Sequence, residues 1–299
     1  MRIIRHPRRK SLKGCVVALG TFDGVHRGHQ AVIRKAVAFS KKIKACSLAL
    51  TFDPHPQQLI VPKRGLKLLT TLKEREELFY RQGIEGVLVI KFSQHLRKLS
   101  YERFIKNYLV NRLGVSRVFV GYDFAFGHGR AGDVSNLRQL GGKYGFQVTV
   151  VPPVVANHRH IKSSNIRELV SRGSFSEALR LLGHPYPISG RVVRGMGRGK
   201  ELGFPTANLQ VDDHKLIPAQ GVYAGRVEGK KCAVNIGSRP TFGVDHTLVE
   251  VYILNFKGNL RRKTIKVDLI KKLRSEIQFS DVEDLKEQIK KDILKVKRL

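Results

Sequence analysis

The sequence predicts two lobes of different class: a parallel α/β sheet covered on both faces, then a small antiparallel barrel or sandwich with one closing helix. Three observations carry this. Up to about residue 152, short β-rich runs alternate with amphipathic stretches, the rhythm of strand–helix–strand units. The turn-rich segment Gly183-His-Pro-Tyr-Pro187 ends that rhythm. Beyond it, strand-like runs are separated by Gly, Pro, Asn and Asp. A chain of 299 residues suits two domains, placed at 1–185 and 186–299.

In the first lobe, strands are expected over 15–20, 46–52, 85–92, 116–121 and 146–151. Helices are expected over 29–42, from the capping box Thr71-Leu-Lys-Glu74 to about 82, over 100–113 with Ser100 as N-cap, and over 133–144. Short helices follow over 163–171 and 174–182, the second opened by the capping box Ser174-Phe-Ser-Glu177. In the second lobe, strands are expected over 188–193, 221–227, 231–237, 247–256 and 263–271. A final helix over 281–296 carries an apolar stripe of Val282, Leu285, Ile289 and Ile293.

Composition excludes several classes. Apolar residues make up 41% and charged residues 27%, so cores can form and disorder is not the theme. Three cysteines without a Cys-x-x-Cys pair suit a reducing compartment and argue against a cysteine-ligated zinc site. No apolar run approaches the ~18–20 residues that span a bilayer. The basic start resembles a signal peptide, but the apolar stretch 15–20 is too short for its core and runs into Asp23. A cytoplasmic protein without a membrane partner is expected.

The 56 Lys and Arg against 24 Asp and Glu give a formal charge of +32, and both lobes are basic. Such a surface attracts nucleic acid, anionic membrane or phosphorylated small molecules. A general drift toward Lys and Arg accounts for the same number. There is no RNP aromatic string, zinc finger, basic heptad region or Trp. Any nucleic-acid binding is therefore expected to be salt-dependent and unspecific.

The first chemical motif is Leu19-Gly-Thr-Phe-Asp-Gly-Val-His-Arg-Gly-His29, at a strand-to-helix turn. Ligands of open parallel sheets bind beyond the carboxyl ends of strands. Gly20, Gly24 and Gly28 allow close backbone approach. The helix start offers free N–H groups to an anion, and His26 and His29, three apart, can address one spot. Taken singly, either histidine is better read as a helix cap. Together, beside the glycines, they suit a phosphate whose charge grows during reaction. A metal reading is weaker, for want of a third ligand.

This segment resembles the His-x-Gly-His signature of nucleotidyltransferases. With Thr51-Phe-Asp-Pro-His-Pro56, it resembles the FAD synthetase module of bacterial bifunctional riboflavin kinase/FAD synthetases. The stretch 120–127 with Arg130 and Gly132, and Ile161-Lys-Ser-Ser-Asn-Ile-Arg167, resemble two further segments of that family. The resemblance implies a Rossmann-like, doubly wound nucleotidyltransferase fold. It assigns ATP contacts to Gly20, Phe22, Gly28, Ser163 and Ser164, and a catalytic phosphate contact to Arg167 beside His26 and His29. It puts Asp53, Phe124, Phe126 and Arg130 on the flavin side, with one of the two phenylalanines expected in the core. Lys162 and Ser164 depart from the usual Ser and Thr.

The second motif, 189–208, is dense in glycine: Gly195, Gly197, Gly199 and Gly203, with Arg194, Arg198 and Lys200 among them. Such a loop can wrap phosphate with backbone N–H groups. It lacks the Walker A spacing. Its ending, Gly-Phe-Pro-Thr-Ala-Asn208, resembles the riboflavin kinase signature. The resemblance implies a kinase barrel with a terminal helix, ATP contacts at Gly195, Gly199, Lys200 and Gly203, and Mg²⁺ held by Thr206 and Asn208 with the ATP phosphates. It implies Glu250 as general base and a flavin or nucleotide contact for Arg274, for which a solvated barrel-edge charge is the even alternative. Further matches are 221–224, 235–242 and 273–279. Tyr252 stands where His is frequent, and 255–263 lacks the usual acidic turn and Tyr-Gly pair. The expected activity is riboflavin to FMN in the second lobe and FMN to FAD in the first, with ATP as co-substrate of both. A chain retaining only the second of these activities is the alternative. Expected partners are riboflavin, FMN and ATP.

Overall fold

A computed structural model of the chain describes residues 2–4, 14–62, 65–156, 159–195, 197–241 and 244–299. Contacts group them into two compact units, Met1–Leu66 with Arg75–Lys162, and Lys67–Glu74 with Ser163–Leu299.

The first unit runs β1 (Arg2–Ile4), β2 (Val16–Leu19), α1 (Arg27–Lys42), β3 (Ser47–Asp53), α2 (Pro56–Ile60), α3 (Leu72–Arg81, its first turn grouping with the second unit) and β4 (Gly86–Lys91). It continues with α4 (Gln94–Arg97), α5 (Tyr101–Phe104), a π-helix over Ile105–Leu113, β5 (Arg117–Gly121), a 3-10 turn at His128–Arg130, α6 (Val134–Tyr144), β6 (Gln147–Val151), and the pair β7 (Val155–Ala156) and β8 (Arg159–His160). The sheet order is β1-β4-β3-β2-β5-β6, and every neighbouring pair is parallel. Its central strands are buried on both faces, which is why they read as unbroken apolar runs. Leu19, Leu50, Leu88 and Val120 feed one core layer, and Val16, Ala18, Ala49 and Phe119 the other.

The caps follow the sequence where their partners are local. Thr71 N–H donates to Glu74 Oε2 at 2.9 Å and Glu74 N–H to Thr71 Oγ1 at 3.3 Å, closing the expected box. Ser100 Oγ accepts from Arg103 N–H. The helix after Ser100 is α for one turn only and then π, with Ile105, Leu109 and Leu113 all turned inward.

The second unit holds α7 (Ser163–Ser171), α8 (Phe175–Leu182), β9 (Tyr186–Val193), α9 (Arg198–Glu201), β10 (Ala207–Val211), β11 (Gly221–Val227), β12 (Lys230–Thr241), β13 (Val244–Ile253), β14 (Thr264–Arg274) and α10 (Val282–Lys297). The strands close a barrel in the order β10-β13-β12-β11-β14-β9, around Leu209, Val234, Ile236, Val249, Val251 and Val267. This is the barrel rather than the sandwich. Glu74 and Lys215, both fully buried, pair at 3.1 Å inside this unit. Glu74 Oε1 also accepts the Ser189 N–H at 2.8 Å, so the buried carboxylate is satisfied on both oxygens.

Three expectations are corrected. The box at Ser174 does not form, because Arg172 Nε donates to Ser174 Oγ at 3.1 Å and its guanidinium also reaches Glu177. Val282 is exposed rather than part of the apolar stripe; Ile293 and Val296 are the buried apolar side chains of α10. β10 hides behind the glycine loop, whose composition reads as coil, yet it pairs on both sides.

Candidate functional site

In the first unit, β2 ends at Leu19 and the chain turns sharply before α1. Phe22 and Val25 adopt φ of 53° and 40°, left-handed values unusual for residues with bulky side chains. Phe22 is nonetheless 2% exposed, held edge-on between Phe79 of α3 and His29 at centroid distances of 5.4 and 5.3 Å. His26 is the N-cap of α1: its Nδ1 accepts the His29 N–H at 3.3 Å. The capping reading of a single histidine is thus realised, and it has a chemical consequence. An accepting Nδ1 leaves the proton of the neutral ring on Nε2, making that nitrogen a donor.

The two imidazoles stack at 3.6 Å, 20° from parallel. A Cβ on Gly28 would lie 3.1 Å from His26 Cε1, so glycine is what lets the rings sit there. Burial, then the neighbouring His26, Arg75 and His55, hold the His29 pKa well below its usual value. Its ring is neutral at physiological pH, and its buried Nδ1 has no hydrogen-bond partner among the described residues. The result is a neutral His29 ring stacked on His26 at a helix N-terminus, an arrangement suited to donate hydrogen bonds to phosphate.

Asp53 ends β3 exposed. Phe126 is core, packed with Tyr101 and Phe104, while Phe124 stacks on it at 5.2 Å and stays half-buried. Arg130 is exposed in the 3-10 turn with φ of 61°. Ser163, Ser164 and Arg167 lie at the start of α7, which groups with the second unit.

In the second unit, Asn208 of β10, Glu250 of β13 and Asn235 of β12 stand in one row across three strands: Glu250 is the register partner of both asparagines. Their strand neighbours Leu209, Val234, Ile236, Val249 and Val251 point into the barrel, so alternation puts this polar row on the outer face. The glycine loop presses against the row. A Cβ on Gly195 would lie 2.1 Å from Asn208 Nδ2, and one on Gly199 would lie 2.6 Å from the Phe204 carbonyl and 3.0 Å from Thr206 Oγ1. Gly203 has φ of 86° and forms the turn after α9. The Lys200 side chain and the end of the 235–242 match fall outside the described residues. Thr206 and Asn208 supply a hydroxyl and an amide oxygen, hard donors that suit a small divalent cation shared with phosphate.

Residues 8–165 match the FAD synthetase family model, and residues 182–299 the riboflavin kinase family model. The bifunctional riboflavin kinase/FMN adenylyltransferase of Buchnera aphidicola subsp. Schizaphis graminum is 37% identical over 100% of this chain and 98% of its own length. The protein of the same description from Escherichia coli K12 is 36% identical over 94% and 91%. This chain belongs to the bifunctional riboflavin kinase/FMN adenylyltransferase family.

A crystal structure of a Streptococcus pneumoniae chain described as a macrolide-efflux protein is 28% identical, with a TM-score of 0.87 and all of both chains covered. No helix among the described residues here is long and apolar enough to cross a membrane.

Within this family chain, Arg274 is not a free barrel-edge charge. Its Nε donates to Asp292 Oδ2 at 2.8 Å, and Gln288 Nε2 donates to Asp292 Oδ1 at 3.0 Å. Arg274 Nη1 also donates to the Ser275 carbonyl, and its guanidinium lies 5.9 Å from the Phe279 ring. The pair ties β14 to the terminal helix, with Asp292 buried. Asp292→Asn is expected to lower stability by about 1–3 kcal/mol, the range for a lost charged hydrogen bond. Urea denaturation measures it; an unchanged midpoint would reduce the pair to an incidental contact.

Three residues escape motif reading. His55 is buried, caps α2 and bears on His29. It sits in the matched string 51–56, where Asp53 draws attention first. Asn235 is likewise inside a matched string, and only the strand register reveals its place beside Glu250. Arg75 sits in an amphipathic helix with many charges, and nothing in the spacing separates it from its solvated neighbours.

Proposed function

We propose that this chain phosphorylates riboflavin to FMN at the barrel and adenylylates FMN to FAD at the parallel sheet, with the functional boundary near 185. The supporting observation is that each of the two compact units carries a cluster suited to phosphate: the neutral His29 ring stacked on His26 in one, and the Asn208–Glu250–Asn235 row behind a glycine loop in the other.

In the kinase step, the Glu250 carboxylate accepts the proton of the terminal ribityl hydroxyl while that oxygen attacks the γ-phosphorus of ATP. The bond to the bridging oxygen breaks and ADP leaves. Backbone N–H groups of the loop around Gly195, Gly199 and Gly203 line the phosphates, and Thr206 and Asn208 would hold Mg²⁺. The cation supplies charge neutralisation on the phosphate oxygens. In the adenylyl step, an FMN phosphate oxygen attacks the α-phosphorus of a second ATP and pyrophosphate leaves. His26 Nε2–H and the His29 ring stabilise the added charge, while Gly20, Phe22 and Gly28 shape the turn. Ser163, Ser164 and Arg167 are assigned to triphosphate oxygens, Arg167 through its planar fork. Asp53, Phe124 and Arg130 are the flavin-side candidates; the Phe126 ring acts by supporting Phe124. Arg274 serves the kinase flavin rim through its fixed orientation.

Incubation with riboflavin, ATP and Mg²⁺, followed by chromatography of the flavins, tests the reading. FMN and FAD should both accumulate. FAD from added FMN with none from riboflavin would leave a single-activity enzyme, and no product from either substrate would reject the assignment.

A further inference from the structure

Among the described residues, Arg75 is the largest wholly buried side chain, with no exposed surface. A guanidinium in a core is costly to desolvate, and Leu or Met would fill similar space without that cost. What it holds is the turn of the first motif. Its Nη1 donates to the Thr21 carbonyl at 2.8 Å and to Thr51 Oγ1 at 3.2 Å. Thr51 Oγ1, itself fully buried, donates to the same Thr21 carbonyl at 3.0 Å. Thr21 directly precedes Phe22, the first of the two non-glycine left-handed residues in the turn. One helical turn beyond Arg75 on α3, Phe79 meets the Phe22 ring edge-on, and Phe22 meets His29 in the same way. α3 therefore braces the turn twice, by charge at Thr21 and by packing at Phe22. Strained backbone persists only where surrounding contacts over-determine it.

We infer that Arg75 is a positioning residue for adenylyl transfer: acting with Thr51 through the Thr21 carbonyl, it fixes the turn that aims His26 and His29, and touches no substrate itself. Its charge beside His29 also favours the neutral ring. The inference rests on the first motif being the FAD-forming site.

The test uses the full chain and its own second activity as the folding control. In Arg75→Met, kcat for FAD from FMN and ATP should fall by roughly 10²-fold, the scale of a small misalignment, with the KM for ATP changed less than about threefold. Riboflavin phosphorylation should stay at the wild-type rate. Arg75→Lys, which keeps the charge and one donor, should recover at least about tenfold of the loss. Thr51→Val, nearly isosteric, should lower the same kcat by about three- to tenfold. A merely structural arginine predicts lower thermal stability, unchanged kcat per folded molecule and no rescue by lysine. Wild-type kcat in Arg75→Met would overturn the inference. If that variant does not fold, wild-type kcat in both Arg75→Lys and Thr51→Val would overturn it as well. Failure of the wild-type chain to form FAD would instead strike the functional assignment.

Discussion

His29→Ala is expected to stop FAD formation, with kcat down by about 10²–10³-fold or more, while riboflavin phosphorylation continues unchanged. The magnitude is that of removing one preorganised donor from a site of developing charge. The substitution is clean for a structural reason. His26 caps α1 through the backbone N–H of residue 29, which alanine retains, so the helix start survives the loss of the ring. What disappears is the neutral imidazole stacked on His26 and leaning on Phe22. A flavin assay from FMN and ATP, run beside one from riboflavin and ATP, reads both activities in one preparation. Equal loss of both in a folded protein would contradict two separate sites.

The same residue gives a pH signature. Burial, then the neighbouring His26, Arg75 and His55, depress the folded pKa of His29 below the unfolded value of 6.5. Above pH 6.5 both states leave the ring neutral and it adds no pH dependence. As pH falls below 6.5, the unfolded chain takes a proton that the folded site refuses, so stability declines. Thermal midpoints should therefore drop on acidification below that value, and more shallowly in His29→Ala than in the wild type.

What the sequence discloses and what it withholds divide along physical lines. Helix starts are legible where the capping partners are neighbours in the chain, as at Thr71 with Glu74, Ser100 with Arg103 and Asp133 with Asn136. The pattern misleads at Ser174 because a residue two places earlier, Arg172, competes for its hydroxyl. The histidine pair is legible because glycine spacing and helix geometry are local. Arg75 is not, since its meaning lies in a carbonyl 54 residues away. The polar row of the barrel is half legible: Glu250 and Asn208 lie in matched strings, but that they face each other is a fact of strand register. Alternation fixes a strand's faces, whereas pairing between distant strands is set by the closed barrel as a whole. Arg274 is a charge near a strand end in the sequence, and becomes an anchored group only through Asp292, 18 residues on.

Glu250→Gln should be the mirror image of the histidine variant. A positioned general base contributes about 10²–10⁴-fold, so kcat for FMN formation should fall by that factor, with the KM for ATP little altered. The amide matches the carboxylate in shape. Its strand neighbours Val249 and Val251 stay in the barrel core and its cross-strand partners remain Asn208 and Asn235, so unfolding midpoints should hold. Riboflavin with ATP then yields neither flavin nucleotide, because the first product is the second substrate. Adding FMN restores FAD at the wild-type rate, which separates a lost base from a damaged protein. Near-normal phosphorylation by Glu250→Gln would show that the hydroxyl proton leaves by another route, and the outer-face row would lose its catalytic centre while keeping its part in binding phosphate.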